Sequence, residues 1–190
     1  EKSCEFILEM ERAGADLVEI GIPFSDPIAE GPVIQAANIR ALSVHTDLGQ
    51  VFRLVRMVRE KSQIPLVFLT YVNPIFRYGA EDFFSACADV GVDGVIVPDM
   101  PYEERGECAT AAAAYGIDII SMIAPTSRER IKTIASVGSG FLYVVSSLGV
   151  TGMRSDIKTG IDDMIKTIRN VTDVPAAVGF GINTPEQATA

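Results

Sequence analysis

The sequence predicts an α/β fold: a (β/α)8 TIM barrel that lacks its first and last strands, in a single domain over 1–190 truncated at both ends. Three observations predict it. Helix-like and strand-like stretches alternate strictly, which implies a parallel sheet. The strand-like runs are short, β-branched and free of polar alternation, as in strands covered on both faces. No GxGxxG follows a first strand and the units are even, which favours a closed barrel over an open doubly wound sheet.

The elements follow in order. Cys4, Ile7, Leu8 and Glu11 have helical spacing, and Gly14 closes that helix. Asp16 then precedes the apolar run LVEIGIP. The same unit of glycine, aspartate two residues on, apolar run and loop returns at Gly91 and Asp93 before GVIVPD. It returns again at Gly116 and Asp118 before IISMIAP, and more loosely at Gly138 to Gly140 before FLYVVSS. Two further strands enter through proline, LVFLTY after Pro65 and AAVGF after Pro175. Between the strands, Gln50 to Glu60 places Val51, Leu54, Val55 and Val58 on one helical face. Arg128 to Val137 and Asp162 to Ile168 read as helices in the same way.

Six strands are visible in 190 residues, against about 250 residues for a complete barrel. The chain starts without Met and already in a helix. It stops at Ala190, just after Thr184-Pro185-Glu186, a good helix start, so it reads as part of a longer chain with one strand beyond each end.

Composition narrows the function classes. With 48% hydrophobic residues the chain has the material for a sizeable core. A net charge of −9 argues against nucleic acid or an anionic membrane as partner. No run of about 18 apolar residues suggests a membrane span, and no signal peptide is visible. The three cysteines stand far apart without a CxxC pair, which suits buried thiols in a reducing, cytoplasmic setting. No Cys/His cluster supports a metal site, and no cofactor is expected. His45, the only histidine, lies in a polar loop. Ser146 and Ser147 have no nearby histidine for nucleophilic catalysis, and the strands carry no lysine for a Schiff base.

Barrel active sites lie at the C-terminal strand ends. Glu19 stands inside a strand, with Leu17 and Gly21 on its own face and Val18, Ile20 and Ile22 on the other. The β-branched set suits the helix layer, so Glu19 is expected to point into the barrel. Burial costs a carboxylate several kcal/mol, on the order of 3 or more, unless it is paired or protonated. A raised pKa and general acid/base work is the sharper reading; a carboxylate satisfied by an interior network is the plainer one. The stiff loop from Pro23 to Pro32 adds Asp26 and Glu30; Asp26 reads as a solvated turn residue, and for Glu30 the two readings balance. Glycines follow two late strands, Gly149 to Gly152 and Gly179 to Gly181, where backbone N–H groups can receive a phosphate.

At these residues the chain resembles the tryptophan synthase alpha subunit family. The matching pieces, in family order, are GADLVEIGIPFSDPIAEGPVIQ, LTYVNPIFRYG, GVDGVIVPDMPYEE, APTS, GFLYVVSSLGVTG and VGFGINTPEQ. The resemblance implies a lyase of tryptophan biosynthesis that cleaves indole-3-glycerol phosphate into indole and glyceraldehyde 3-phosphate. It assigns Glu19 as the catalytic acid/base. It places Glu30 at the position where the family usually has Asp, beside the indole N–H, one methylene longer here. It assigns Gly152 and Gly181 to the phosphate, and Tyr71, Ile96, Tyr143, Thr151 and Phe180 to the surroundings of the indole and the catalytic loop. It implies a beta subunit as partner, in a heterotetramer of two alpha and two beta subunits, with Pro23 to Glu30 facing the subunit that receives indole through a tunnel. Two rival readings stand beside it. One is a sibling phosphate-binding barrel isomerase or synthase, which would need another acid/base set, often Lys or Cys. The other is a non-catalytic barrel that only binds and activates a beta subunit, a reading drawn from the change at Glu30.

Overall fold

In chain order the elements are α1 (Lys2–Arg12), β1 (Val18–Gly21), α2 (Pro32–Ser43), α3 (Leu48–Arg59), β2 (Leu66–Leu69), α4 (Val72–Tyr78), α5 (Ala80–Val90), β3 (Gly94–Ile96), α6 (Gly106–Ala114), β4 (Asp118–Ile123), α7 (Ile131–Ser136), β5 (Leu142–Val145), α8 (Ile161–Arg169), β6 (Ala176–Gly179) and α9 (Pro185–Thr189). The computed structural model describes residues 1–145, 160–179, 182 and 184–189. All six expected strands are present. The chain forms two compact units, one of Glu1–Asp26 with Ala37–Ile119, the other of Pro27–Ala36 with Ile120–Ala190.

In the first unit β1, β2 and β3 pair in parallel, with Glu19 opposite Val67 and Gly21, Leu69 and Ile96 in one row. One sheet face is closed by helices. Val18, Ile20, Leu66, Phe68 and Val95 join a core with Ile7 of α1, Val51, Phe52 and Val55 of α3, and Phe83, Phe84 and Cys87 of α5. Aromatic rings fill its centre, Phe52 lying 5.9 Å from Phe68 and 6.2 Å from Phe83. Each such buried side chain contributes about 1.5–3 kcal/mol of transfer free energy. The three cysteines are buried and in no disulfide, as their apolar sequence context suggests, and burial pushes the Cys87 thiol up to about 12.

At Gly91 and Asp93 the Gly-x-Asp unit has a structural cause. Gly91 ends α5 with φ +85, a left-handed turn that glycine enters without penalty. Two residues later the Asp93 carboxylate accepts the Leu66 N–H at 2.8 Å, holding the start of β2. Arg59, at the end of α3, donates to Asp93 at 2.8 Å, to the Gly91 carbonyl at 2.8 Å and to the Ile64 carbonyl at 2.7 Å. One guanidinium thus fixes a helix end to the entries of two neighbouring strands.

In the second unit β4, β5 and β6 pair in parallel, with Met122, Tyr143 and Ala177 in one row. Leu142 and Val144 of β5, Ile131 and Ile134 of α7, and Met164 and Ile168 of α8 are buried, and α7 packs on α8. The helix expected over Arg128 to Val137 is shorter than its pattern. Pro125–Arg130 forms a 3-10 helix and α7 runs only from Ile131 to Ser136. A proline at the entry suits such a short, tight first turn.

Candidate active site

Glu19 sits at the middle of β1, on the face opposite the helix core. Alternation places it as expected, with Val18 and Ile20 buried and Glu19 and Gly21 open. Its exposure departs from the deep burial the sequence suggests. Glu19, Gly21 and Pro23 line a cavity of about 400 Å³ whose apolar wall includes Phe6, Ile7 and Leu54. The atoms packed round the carboxyl still displace part of the water that would stabilise its charge, so burial raises its pKa above the ordinary 4.5. A carboxyl shifted this way keeps a proton closer to neutrality and can donate it.

Tyr71 follows β2 and is 2% exposed. Its ring meets Phe24, in the loop after β1, at 5.4 Å and 32°. Ile96, at the end of β3, is fully buried and shares the Leu69 and Gly21 row, on the Glu19 face of the sheet. The first unit therefore brings Glu19 and Ile96 to one sheet face and ties Tyr71 to the loop that Glu19's strand feeds. A second cavity, of about 280 Å³, lies beyond the strand end between Pro23, Phe24, Asp47, Asn73 and Arg77.

Glu30 belongs to the second unit and is 6% exposed, so it is no solvated loop residue. The Gln35 side chain donates to its main-chain carbonyl at 2.7 Å, fixing the loop just ahead of α2. Tyr143 of β5 lies directly over Gly179 of β6. A Cβ on Gly179 would collide with the Tyr143 ring and hydroxyl, so only glycine fits there while the tyrosine keeps its place. Thr151, Gly152, Phe180 and Gly181 lie outside the described residues.

Sequence reasoning missed two residues at the strand ends. Asp99, just after β3, accepts the Val72 N–H at 2.9 Å and so caps α4 from another loop. The only sequence signal was a cap-forming residue type behind a buried strand, with nothing to tell which helix it serves. Thr70 is 1% exposed, and its hydroxyl has no hydrogen-bond partner among the described residues. Among the described residues no group of three or more His, Cys, Asp and Glu is placed to hold a metal ion. No described helix is long and apolar enough to cross a membrane.

The chain matches the family model for the tryptophan synthase alpha chain over residues 1–190. The tryptophan synthase alpha chain of Lacticaseibacillus casei is 49% identical over 188 residues, 99% of this chain and 71% of the relative. That of Thermoanaerobacter pseudethanolicus is 50% identical, over 99% of this chain and 72% of the relative. Among solved structures, a chain of the tryptophan synthase a2b2 complex of Pyrococcus furiosus superposes with a TM-score of 0.89 at 36% identity. That alignment covers 98% of this chain and 75% of the other, and such neighbours are (β/α)8 TIM barrels, the fold class that strict alternation implied.

Proposed function

Because the chain belongs to the tryptophan synthase alpha chain family, and with it to the carbon–carbon lyases that cleave indole-3-glycerol phosphate in tryptophan biosynthesis, we propose that Glu19 and Glu30 carry the chemistry of that cleavage. The observation that carries the reading is the Glu19 carboxyl, set on the open face of β1 with its pKa raised by burial.

The step balances on that carboxyl. Glu19 gives a proton to indole C3, and positive charge develops at the indole nitrogen. The bond between C3 and the glycerol carbon then breaks, its electron pair returning to the ring. The adjacent hydroxyl loses its proton as it becomes the aldehyde of glyceraldehyde 3-phosphate. Glu19 receives that proton and ends the cycle as it began. Glu30 faces the indole N–H and stabilises the charge that appears there, a role for a fixed carboxylate in a partly dry site. Tyr71, Ile96, Tyr143, Thr151 and Phe180 enclose the indole end, and the backbone at Gly152 and Gly181 receives the phosphate.

The 190 residues form part of one (β/α) barrel domain, which works in the cytoplasm with a beta subunit in a complex of two alpha and two beta subunits. The a2b2 complex that contains the Pyrococcus furiosus relative supports this partner; the Pro23 to Glu30 loop is the segment assigned to face it. The test of the Glu30 assignment is substitution. Glu30→Asp is expected to retain indole release within about threefold and Glu30→Ala to lose about a hundredfold, the usual scale for one electrostatic contact in a transition state. An alanine variant with full turnover removes Glu30 from the reaction.

A further inference from the structure

We propose that Asp99 is a positioning residue for the reaction, holding Tyr71 in register by capping α4 from the loop after β3. The inference rests on the functional reading above and extends it to a residue outside the acid/base set.

Val72 is the first residue of α4, so its N–H has no acceptor within the helix. The residue before it, Tyr71, does not cap the helix with its own side chain. The Asp99 carboxylate supplies the missing acceptor at 2.9 Å, across 27 positions of sequence. Tyr71 has φ −106 and ψ 162, an extended conformation that turns the chain from β2 into α4. Fixing the next N–H therefore fixes where the Tyr71 ring stands. That ring is 2% exposed and packs 5.4 Å from Phe24. The loops after β1, β2 and β3 are thereby linked in series, Phe24 to Tyr71 to Val72 to Asp99. A positioning role follows because Asp99 acts on Tyr71 only through the backbone, and because the capped helix is short. With seven residues, α4 has little of its own to hold its first turn in place.

The bond can be cut from either side. Asp99→Ala removes the acceptor, and Asp99→Asn keeps one oxygen. Val72→Pro removes the donor at the first helical position, where proline is well tolerated, and Tyr71 already has the extended backbone that a following proline requires. Two readouts are taken on the whole protein: steady-state indole release from indole-3-glycerol phosphate, and hydrogen exchange at the Val72 amide. The expected result is a protected Val72 amide in the wild type and in Asp99→Asn, and a fast-exchanging one in Asp99→Ala. With it, kcat falls about ten- to a hundredfold in Asp99→Ala and Val72→Pro while KM stays within about threefold, since misplacement near the reacting centre costs turnover. The double variant should lose no more than either single one, as both cut one interaction. Asp99→Asn should rescue most of kcat. Two results overturn the proposal: an unprotected Val72 amide in the wild type, or a deprotected amide with kcat within about twofold of wild type. A wild-type protein with a protected amide and no turnover fails the functional reading instead, so the two failures are told apart.

Discussion

Replacing Arg59 with Met should cost about 3.5 kcal/mol of stability, and the structure shows where that comes from. The guanidinium makes three short hydrogen bonds, to the carbonyls of Gly91 and Ile64 at 2.8 and 2.7 Å and to Asp93 at 2.8 Å. The Arg59 side chain is 16% exposed, so the two carbonyl bonds form where water competes poorly. Hydrogen bonds to a charged group contribute about 1.5–3 kcal/mol each. The carbonyls regain some water once the cation is gone, so the lower end applies, about 3 kcal/mol for the two. The Asp93 side chain is 56% exposed, and an ion pair so placed adds about 0.5 kcal/mol. Asp93→Asn should therefore cost about 0.5–1 kcal/mol, since Asn still accepts the Leu66 N–H. Met keeps the apolar stem, so packing is largely retained. Urea unfolding followed by circular dichroism reads both variants, and a thermal scan should show Arg59→Met down by about 7–14 °C. The reasoning is refuted if Arg59→Met loses under about 1 kcal/mol. It is also refuted if Asp93→Asn costs as much as Arg59→Met, which would place the stabilisation in the ion pair.

Other consequences are as direct. Burial raises the Glu19 pKa, so the folded protein holds this proton more tightly than the unfolded chain. The stability from that proton is fully present below the ordinary 4.5 and is lost as pH rises through the folded value. Glu19→Gln should thus gain stability on the wild type as pH rises from about 4 to 7; unfolding curves that stay parallel across that range contradict the shift. Thr70→Val removes a buried hydroxyl without a partner among the described residues and should raise stability by about 1 kcal/mol, read by urea unfolding, whereas a loss would mean that the hydroxyl is satisfied in solution. Gly179→Ala forces Tyr143 aside and should lower kcat/KM for indole release about tenfold or more, with the far-UV spectrum unchanged.

Much of the fold was legible because strand burial and glycine ends are local signals. Val18, Ile20, Leu66 and Phe68 carry the helix-facing side, and Gly91 and Gly116 take positive φ where the sequence placed helix ends. The looser repeat is resolved too: Gly140, not Gly138, has the positive φ. Interactions made across the sequence were not legible. Nothing near Asp93 announces Arg59, and nothing near Asp99 announces Val72, because each bond joins separate loops. The break between α4 and α5 at Gly79, with φ +93, divides a stretch that carries no strong amphipathic pattern at its start. For the site, alternation identified the face of Glu19 correctly, but no pattern reports how open that face is. Glu30 stood evenly between loop and site in the sequence, and its burial favours the site.

The most direct test of the central claim is indole release from indole-3-glycerol phosphate by the whole protein, wild type and Glu19→Gln, each with and without a tryptophan synthase beta subunit. The account predicts release by the wild type that rises when the beta subunit is added, and release by Glu19→Gln reduced about a thousandfold or more with the fold intact. A folded Glu19→Gln protein that turns over like the wild type would contradict it.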